Sequence, residues 1–443
     1  MQSQIEYVLH SAEERGIRFI QLWFSDILGT PKSFTITPSE LENALEEGMT
    51  FDGSSIEGFS RVQESDVIAK PDPETFQILH WKNEQYPTAR IFCDILNLDN
   101  SPFEGSPRQV LKKSLEKARL KGFSFYAAPE IEYFYFSNKN ILPPQPLDNG
   151  SYFEITSESL SSSLRQQAAL SLEEMGIPVE YTQHEDAPGQ QEIDLRYTDA
   201  LTMADSIVTT RIIVKEIAER EGVWASFMPK PLSGIQGSGM HTHLSLFQGD
   251  ANAFYDPQDE YNLSQTARFF IAGLLHHARE ITAVTNQWIN SYKRLIAGYE
   301  APVYISWARN NRSSLVRVPI TRSTRPDSTR IEYRSPDPAC NPYLAFSLIL
   351  EAGLKGIEKE YELPLETTKN LYLLDTKQMK EEKITALPPN LGEAIQIMED
   401  SELVYEVLGE HVFEWFIKNK KNDWAQYQAN VSQFELERYF PRL

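Results

Sequence analysis

Cysteine is nearly absent: the 443 residues hold two, Cys93 and Cys340. They sit in unrelated segments, so a disulfide framework is excluded and two reduced core thiols are expected. Long apolar runs are missing too. Stretches such as 269–275 fall far short of the roughly 20 residues that span a bilayer, and the first 16 residues carry no apolar signal core. A soluble, cytoplasmic protein is the expectation. Basic charge is scarce, with 42 Lys+Arg against 63 Asp+Glu and a formal net charge of −21. Nucleic acid and anionic membranes both select for basic surfaces, so direct binding to either is not expected. The glycine motifs of P-loop, kinase and dinucleotide sites do not occur.

What is present describes a folded chain. With 41% hydrophobic and 24% charged residues it is globular, and its length provides two or three domains. The first hundred residues read as a small α/β unit. A helix is predicted over 5–15, closed by Gly16, then a strand through IRFIQLWFSD. Thr37-Pro38-Ser39-Glu40 supplies a cap, a first-turn proline and a capping-box acid, opening a helix that ends at Gly48. DNSPFEGSPR, residues 99–108, is dense in turn residues and reads as a linker. Ser106-Pro107 opens the next helix, to 121. Further helices are predicted over 160–175, 200–221, 263–278, 342–359 and 391–418, alternating with short strands. The final DWAQYQANVSQFELERYF is amphipathic, suited to capping the core or packing on a second subunit.

Four strand-like segments carry charged or imidazole groups two residues apart, hence on one face. They are Glu130-Ile131-Glu132, Glu192-Ile193-Asp194-Leu195-Arg196, His241-Thr242-His243-Leu244-Ser245 and Arg330-Ile331-Glu332-Tyr333-Arg334. Any one alone reads as the solvated face of an antiparallel sheet. Together they do not, because a solvated face mixes in Lys, Ser, Thr and Gln, whereas these use Glu, His and Arg. Pliable backbone flanks them, Gly-Ser-Gly-Met before His241 and Ala-Pro-Gly-Gln-Gln before Glu192. Glu130, Glu132, Glu185, Glu192 and Glu332, with one histidine and no cysteine, suit Mg²⁺ or Mn²⁺ better than zinc.

A second anomaly lies between 290 and 334. Lys293, Arg294, Arg309, Arg312, Arg317, Arg322, Arg325, Arg330 and Arg334 face only Glu300, Asp327 and Glu332, a local balance of +6 in a chain of −21. A solvated basic face is normally rich in lysine; arginine suits bidentate capture of carboxylate or phosphate. Arginines beside an oxygen-rich metal site point to a nucleoside triphosphate held from both sides, and so to metal-assisted phosphoryl transfer. Composition and spacing do not name the acceptor.

At these motifs the chain resembles type I glutamine synthetase, in its shorter, Gram-positive-style subgroup. The matching runs are FDGSSIEGF at Phe51, APEIEYF at Ala127, EDAPGQQEID at Glu185, FMPKP at Phe227, GSGMHTHLSLF at Gly237, NSYKRLIAGYEAP at Asn290, NRSSLVRVP at Asn311 and RIEYRSPDPACNPYLA at Arg330. The resemblance implies an α+β fold, with a β-grasp-like N-terminal domain over 1–103. A catalytic domain with a curved antiparallel sheet flanked by helices would cover 104–443. It also implies a homododecamer of two hexameric rings with active sites between subunits. ATP would phosphorylate the γ-carboxylate of glutamate, and ammonia would displace the phosphate, with two or more Mg²⁺ or Mn²⁺ ions per subunit.

The same resemblance assigns residues. Glu132, Glu185 and Glu192 would ligate one metal, and Glu130, His241 and Glu332 a second at the ATP phosphates. Arg294, Arg312 and Arg334 would hold glutamate and phosphate, with Gln236 and Gly237 in the glutamate-site loop. Glu180, His243, Ser245, Arg317 and Arg330, with Arg312, fall on the ATP side. Asp52 would be lent by a neighbouring subunit to deprotonate ammonium, near Ser55, Asp66, Tyr152 and Glu185. Glu300 would close the site as a flap acid. Arg61 matches a feedback-inhibition arginine, and a regulatory protein partner is a further expectation. Tyr372 matches the adenylylated tyrosine of the longer subgroup, but the Asp-Leu-Pro-Pro that normally follows is missing, so it reads as an ordinary loop tyrosine.

Two departures from the family pattern flank the glutamate site. Gln236 stands where the family has Asn, and Ala308-Arg309-Asn310-Asn311-Arg312-Ser313 replaces Ala-Arg-Asn-Arg-Ser. They define a second reading, a γ-glutamyl-amine ligase acting on polyamines or alkylamines. Asp52, Tyr152, Glu185 and Glu300 favour ammonium, because a small cation needs a compact anionic cage.

Overall fold

The computed structural model describes residues 2–59, 66–81, 85–155, 159–320, 326–369, 371–373, 378 and 384–443; Arg61, Arg322 and Arg325 lie outside them. In the N-terminal part, α1 (Gln2–Glu14) and α2 (Leu41–Glu47) pack on a six-stranded sheet of β1 (Phe19–Ser25), β2 (Pro31–Ile36), β3 (Met49–Asp52), β4 (Asp66–Pro71), β5 (Gln77–Ile78) and β6 (Thr88–Leu96). The strands run in the order β2-β1-β6-β4-β3, with β5 on β6 and the central β1–β6 pair parallel. Val8 and Ala12 of α1 meet Leu41, Ala44 and Leu45 of α2 and the inward residues Ile20, Leu22, Ala89 and Ile91, a core generated by period 2 in the strands. The expected capping box at Thr37 does not form. The Thr37 hydroxyl pairs with that of Ser39 at 2.9 Å, Pro38–Glu40 make a 3₁₀ turn, and the α-helix starts only at Leu41.

The segment read as a linker is tightly held, with Phe103, Ser106 and Arg108 buried. Arg108 sits among three aspartates, 2.8 Å from Asp72, 2.7 Å from Asp94 and 3.0 Å from Asp205. Two of them belong to the N-terminal sheet region and one to a later helix. One buried guanidinium thus ties the halves of the chain together.

The larger part is built on a curved ten-stranded sheet. Its strands are β7 (Ser124–Phe136), β8 (Val179–His184), β9 (Gln190–Leu195), β10 (Thr198–Asp199), β11 (Trp224–Ser226), β12 (Met240–Gln248), β13 (Ala251–Asn252), β14 (Tyr304–Ala308), β15 (Ser314–Arg317) and β16 (Ile331–Tyr333). The main path is β14-β15-β16-β12-β7-β9-β8, with β10 and β11 also on β7 and β13 on β12. Around the sheet lie α3 (Pro107–Leu120), α4 (Leu160–Glu174), α5 (Ala200–Arg220), α6 (Gln265–Thr285), the short α7 (Ser291–Arg294) and α8 (Pro342–Lys359). Their apolar faces and the inward residues Ile131, Tyr133, Ile193, Leu244, Leu246, Ile331 and Tyr333 form one large core. The other face of the same strands is left for Glu, His and Arg.

The helix expected over 391–418 is two. Leu391–Glu399 stops, and Ser401, whose hydroxyl accepts Val404 N at 3.2 Å, caps a new helix, Glu402–Ala429. That helix kinks at Gly409, where φ is 74°. The predicted helix over 263–278 runs instead from Gln265 to Thr285, started by the Ser264 cap. Both cysteines are buried thiols, and no helix of the described residues is long and apolar enough to cross a membrane.

Candidate active site

Strand register places the polar residues in rungs across the sheet. Arg317 of β15 faces Glu332 of β16, which faces His243 of β12. His241 of β12 faces Glu130 of β7, which faces Asp194 of β9 and, through it, Tyr181 of β8. Glu132 faces Glu192, which faces Gln183. Two of these cross-strand pairs set carboxylate directly against carboxylate, an arrangement that costs stability unless something else neutralises it. Four of the rung carboxylates are buried as well: Glu132, Glu192, Asp194 and Glu332, like the neighbouring Arg334, are at most 7% exposed. A solvated polar face is thereby excluded.

The carboxylates fall into two groups. Glu132, Glu185 and Glu192 line one cavity of about 180 Å³ together with Tyr152, Gln183, Tyr299, Glu300, Arg294 and Arg312. Neutral donors serve these acids: Gln183 Nε2 donates to Glu185 at 2.9 Å and Glu192 at 3.1 Å, while Gln190 Nε2 and Gly239 N each donate to Glu132 at 2.9 Å. Burial pushes Glu132 well above the ordinary carboxylate range, with repulsion from Glu185 adding to it. Burial and then the charges of Asp194, Glu132 and Glu185 do the same to Glu192, and burial raises Glu185. The protein leaves this cage under-neutralised, as expected of side chains kept for an external cation.

The second group is Glu130, His241 and Glu332, whose ligand atoms lie within 4.8 Å of one another. His241 Nδ1 donates to Glu130 at 3.0 Å and His243 Nε2 donates to its other oxygen at 2.7 Å. Burial opposes ionisation of Glu130, but these two bonds outweigh it and hold its pKa well below the usual carboxylate range. Arg330 Nε donates to His243 Nδ1 at 3.2 Å, which fixes the tautomer that carries its proton on Nε2. Arg334 Nε donates to Glu332 at 3.0 Å and Arg317 to its second oxygen; despite burial, the Arg334 charge holds Glu332 low. Three carboxylates in the first group, and two carboxylates with one imidazole in the second, fit a hard divalent cation.

Arg294 is fully enclosed, donating to Ser335 O at 2.7 Å, Pro336 O at 3.2 Å and Arg334 O at 3.2 Å. Gly237 and Gly239 pass so close that a Cβ on Gly237 would lie 2.2 Å from Pro229 O and one on Gly239 2.5 Å from Arg294 Nη2. Those glycines exist for close approach, not for turning. Glu300 lines the cavity from a loop in which its own φ is 58° and that of Gly298 is 91°. A second cavity, of about 280 Å³, adjoins across Glu130 and Tyr181 and contains Glu180, His243, Ser245 and Arg330.

Other candidates stand apart. Asp52 and Asp66 face each other across β3 and β4, exposed, with Ser55 nearby in sequence and also exposed, and none of them lines this cavity. Gln236 donates to Asp186 at 2.6 Å and does not line the cavity either. Arg309 is committed elsewhere, paired with Glu366 at 3.2 Å and stacked 3.5 Å over the Tyr261 ring. Asn311, beside the displaced arginine, donates to Thr367 O at 3.2 Å and accepts Ser313 N at 3.0 Å, a loop-shaping role.

The model of the glutamine synthetase catalytic domain matches residues 104–439, and that of the glutamine synthetase β-grasp domain matches 16–98. This chain belongs to the glutamine synthetase family. It is 52% identical over 443 residues to a glutamine synthetase of Mycolicibacterium smegmatis, covering 99% of both chains, and 46% identical over 437 residues to one of Thermotoga maritima, covering 98% and 99%. Among solved structures, a GmaS/ADP complex superposes with a TM-score of 0.87 at 31% identity, over 98% of this chain and 99% of the other. The two-part fold, a β-grasp sheet and a curved sheet flanked by helices, is the family fold.

Sequence reasoning missed several residues at this family site. Gln183 and Gln190 are neutral, so a search for charges passed over them, although Gln190 lies in the flagged Ala-Pro-Gly-Gln-Gln run. Tyr181 lines both cavities. The β8–β9 register shifts between Val179 and Tyr181, and that bulge lets Glu180 and Tyr181 line one cavity though strict alternation would part them. Asp148 was also missed: its carboxylate accepts from His184 Nε2 at 2.8 Å, Gly150 N at 3.1 Å and Gly189 N at 2.9 Å, knotting the Tyr152 loop to the Glu185 turn.

Proposed function

We propose that this chain is a glutamine synthetase, an ATP-dependent ligase that joins glutamate and ammonia through a γ-glutamyl phosphate. The observation that carries the reading is the under-neutralised cage of Glu132, Glu185 and Glu192 facing buried Arg294 across one cavity. A carboxylate is a poor acyl donor, so phosphorylation must supply a leaving group, and the charge that moves must be matched by fixed charge. Glu132, Glu185 and Glu192 would hold one Mg²⁺ or Mn²⁺ and Glu130, His241 and Glu332 another. Bound there, the ions would neutralise phosphate oxygens and raise the electrophilicity of the γ-carbon.

The chain's own residues do the rest. Arg294 and Arg334 orient glutamate, Arg312 and Arg317 meet the transferring phosphate, and Glu180, His243, Ser245 and Arg330 face the nucleotide. Tyr152 with Glu185 receives ammonium, and Glu300 covers the acyl phosphate against water. Asp52, Ser55 and Asp66 lie outside this chain's cavity but on an exposed edge, which suits donation to a neighbour in a ring of subunits, here a dodecamer. Arg61 would serve feedback inhibition, residues 1–103 and 104–443 would be the two domains, and the enzyme would work in the cytoplasm.

The case for a larger amine acceptor rested on Gln236 and Asn310. Gln236 is bonded to Asp186, and Asn310 lines not the acid-cage cavity but the one beyond Arg312, beside Glu366 and Thr367. The test is glutamate-dependent phosphate release with ammonium beside putrescine, spermidine, methylamine and ethanolamine. Ammonium should have the highest kcat/KM; an amine that exceeds it would refute this reading.

A further inference from the structure

Between α8 and the helix Leu391–Glu399, residues 364–369 and 371–373 lie as a strap along the loop that carries Arg312. Trp307 Nε1 donates to Pro364 O at 2.7 Å, Thr367 N to Trp307 O at 3.0 Å, and Arg309 N to Glu366 at 2.8 Å. Asn311 Nδ2 donates to Thr367 O at 3.2 Å, and Leu371, itself fully buried, donates its N–H to Ser313 Oγ at 3.4 Å. The strap is therefore fixed to residues 307–313 over most of its length.

Tyr372, at the end of the strap, reaches past that loop. Its hydroxyl donates to the carbonyl of Ala301 at 2.6 Å, and its ring lies 6.3 Å from that of Tyr304, the first residue of β14. Ala301 follows Glu300 directly. Glu300 has φ 58°, a left-handed conformation that a glutamate keeps only when its surroundings hold it. Burial raises the phenol's pKa, so the hydroxyl remains a donor over the working range of the enzyme.

We infer that Tyr372 is a positioning residue: its hydroxyl latches the base of the Glu300 loop to the strap and so holds Glu300 over the acid cage. The inference rests on the proposed function, in which that loop keeps water from the acyl phosphate. It gives Tyr372 a structural task where its sequence context shows only a loop tyrosine. A hydroxyl bonded to a flap carbonyl controls how long the flap stays closed, not the phosphoryl transfer itself.

Tyr372→Phe removes one oxygen and keeps the ring packing. Two quantities are read: phosphate released per glutamine formed at limiting ammonium, and amide hydrogen exchange over residues 296–303. Loss of one neutral hydrogen bond shifts an open–closed balance by roughly fivefold. The latch predicts a rise of that order in phosphate released without glutamine, faster exchange in 296–303, and a KM for ATP changed less than about twofold. The same leak in Glu300→Gln, not further increased in the double variant, would place both residues in one unit. An unchanged ratio overturns the positioning role, whether or not exchange accelerates, and leaves the proposed function standing. Exchange reads the latch without turnover, so it still decides if the chain proves to use another acceptor: unchanged exchange overturns the latch there too.

Discussion

Gly239→Ala tests the glutamate side of the site with the smallest possible change. The added Cβ would lie 2.5 Å from Arg294 Nη2 and 3.1 Å from His241 Nε2. Ordinary contact begins near 3.4 Å, so the guanidinium must retreat by about 0.9 Å, the difference between those two distances. In an exposed arginine that retreat would be cheap. Arg294 is 2% exposed and bonded to three carbonyls, with Gly237 against its stem, so it cannot move without loosening those bonds. Hydrogen bonds to a charged group contribute about 1.5–3 kcal/mol each, and loss of one corresponds to about 10- to 150-fold in binding. The expected outcome is a KM for glutamate raised by that range, a KM for ATP changed by less than threefold, and a thermal midpoint within a few degrees of wild type. Initial rates with glutamate and ATP varied separately supply the first two. An unchanged KM for glutamate would refute the assignment of Arg294 to glutamate.

Three further outcomes are expected. Gln236→Asn should alter the ammonium-to-amine ratio of kcat/KM by less than about twofold, because the side chain is bonded to Asp186 away from the cavity; a tenfold change would show that it turns inward. Glu332→Ala strips Arg317 and Arg334 of a shared carboxylate. It should abolish turnover and shrink the rise in thermal midpoint on adding Mg²⁺, which for a site held at 100 times its Kd is worth about 2.7 kcal/mol. Asp194 is held near pKa 7 instead of 3.8, chiefly by burial and also by the nearby Glu130 charge. A folded carboxyl with a raised pKa keeps a proton the unfolded chain has released, so chelated protein should lose stability as pH rises from about 4 to 7. Asp194→Asn should flatten that slope in a thermal-midpoint series; an unaltered slope would contradict the assignment.

Much of the site was legible because strand periodicity is a rigid rule. Residues two apart share a face, so Glu130 with Glu132 and His241 with His243 could be placed before any pairing was known. Pairing then brought segments a hundred residues apart into single rungs, which no local pattern could show. Charge composition located the arginines but not their employment: Arg309 answers Glu366 and Tyr261, whereas Arg294 faces the cage. Neutral donors such as Gln183 carry no sequence signal, and the Val179–Tyr181 bulge defeats alternation locally. Among helices, Ser401 broke the segment expected to be continuous, since an apolar period of 3.6 can persist across two helices that cap separately.

The account's central claim is that phosphate is first transferred to the γ-carboxylate of glutamate. Glutamate labelled with ¹⁸O in that carboxylate, incubated with ATP, Mg²⁺ and ammonium, tests it most directly by mass spectrometry of the released phosphate. One labelled oxygen per phosphate, matched by one glutamine, is the predicted result. Phosphate free of label, released while glutamine accumulates, would contradict it.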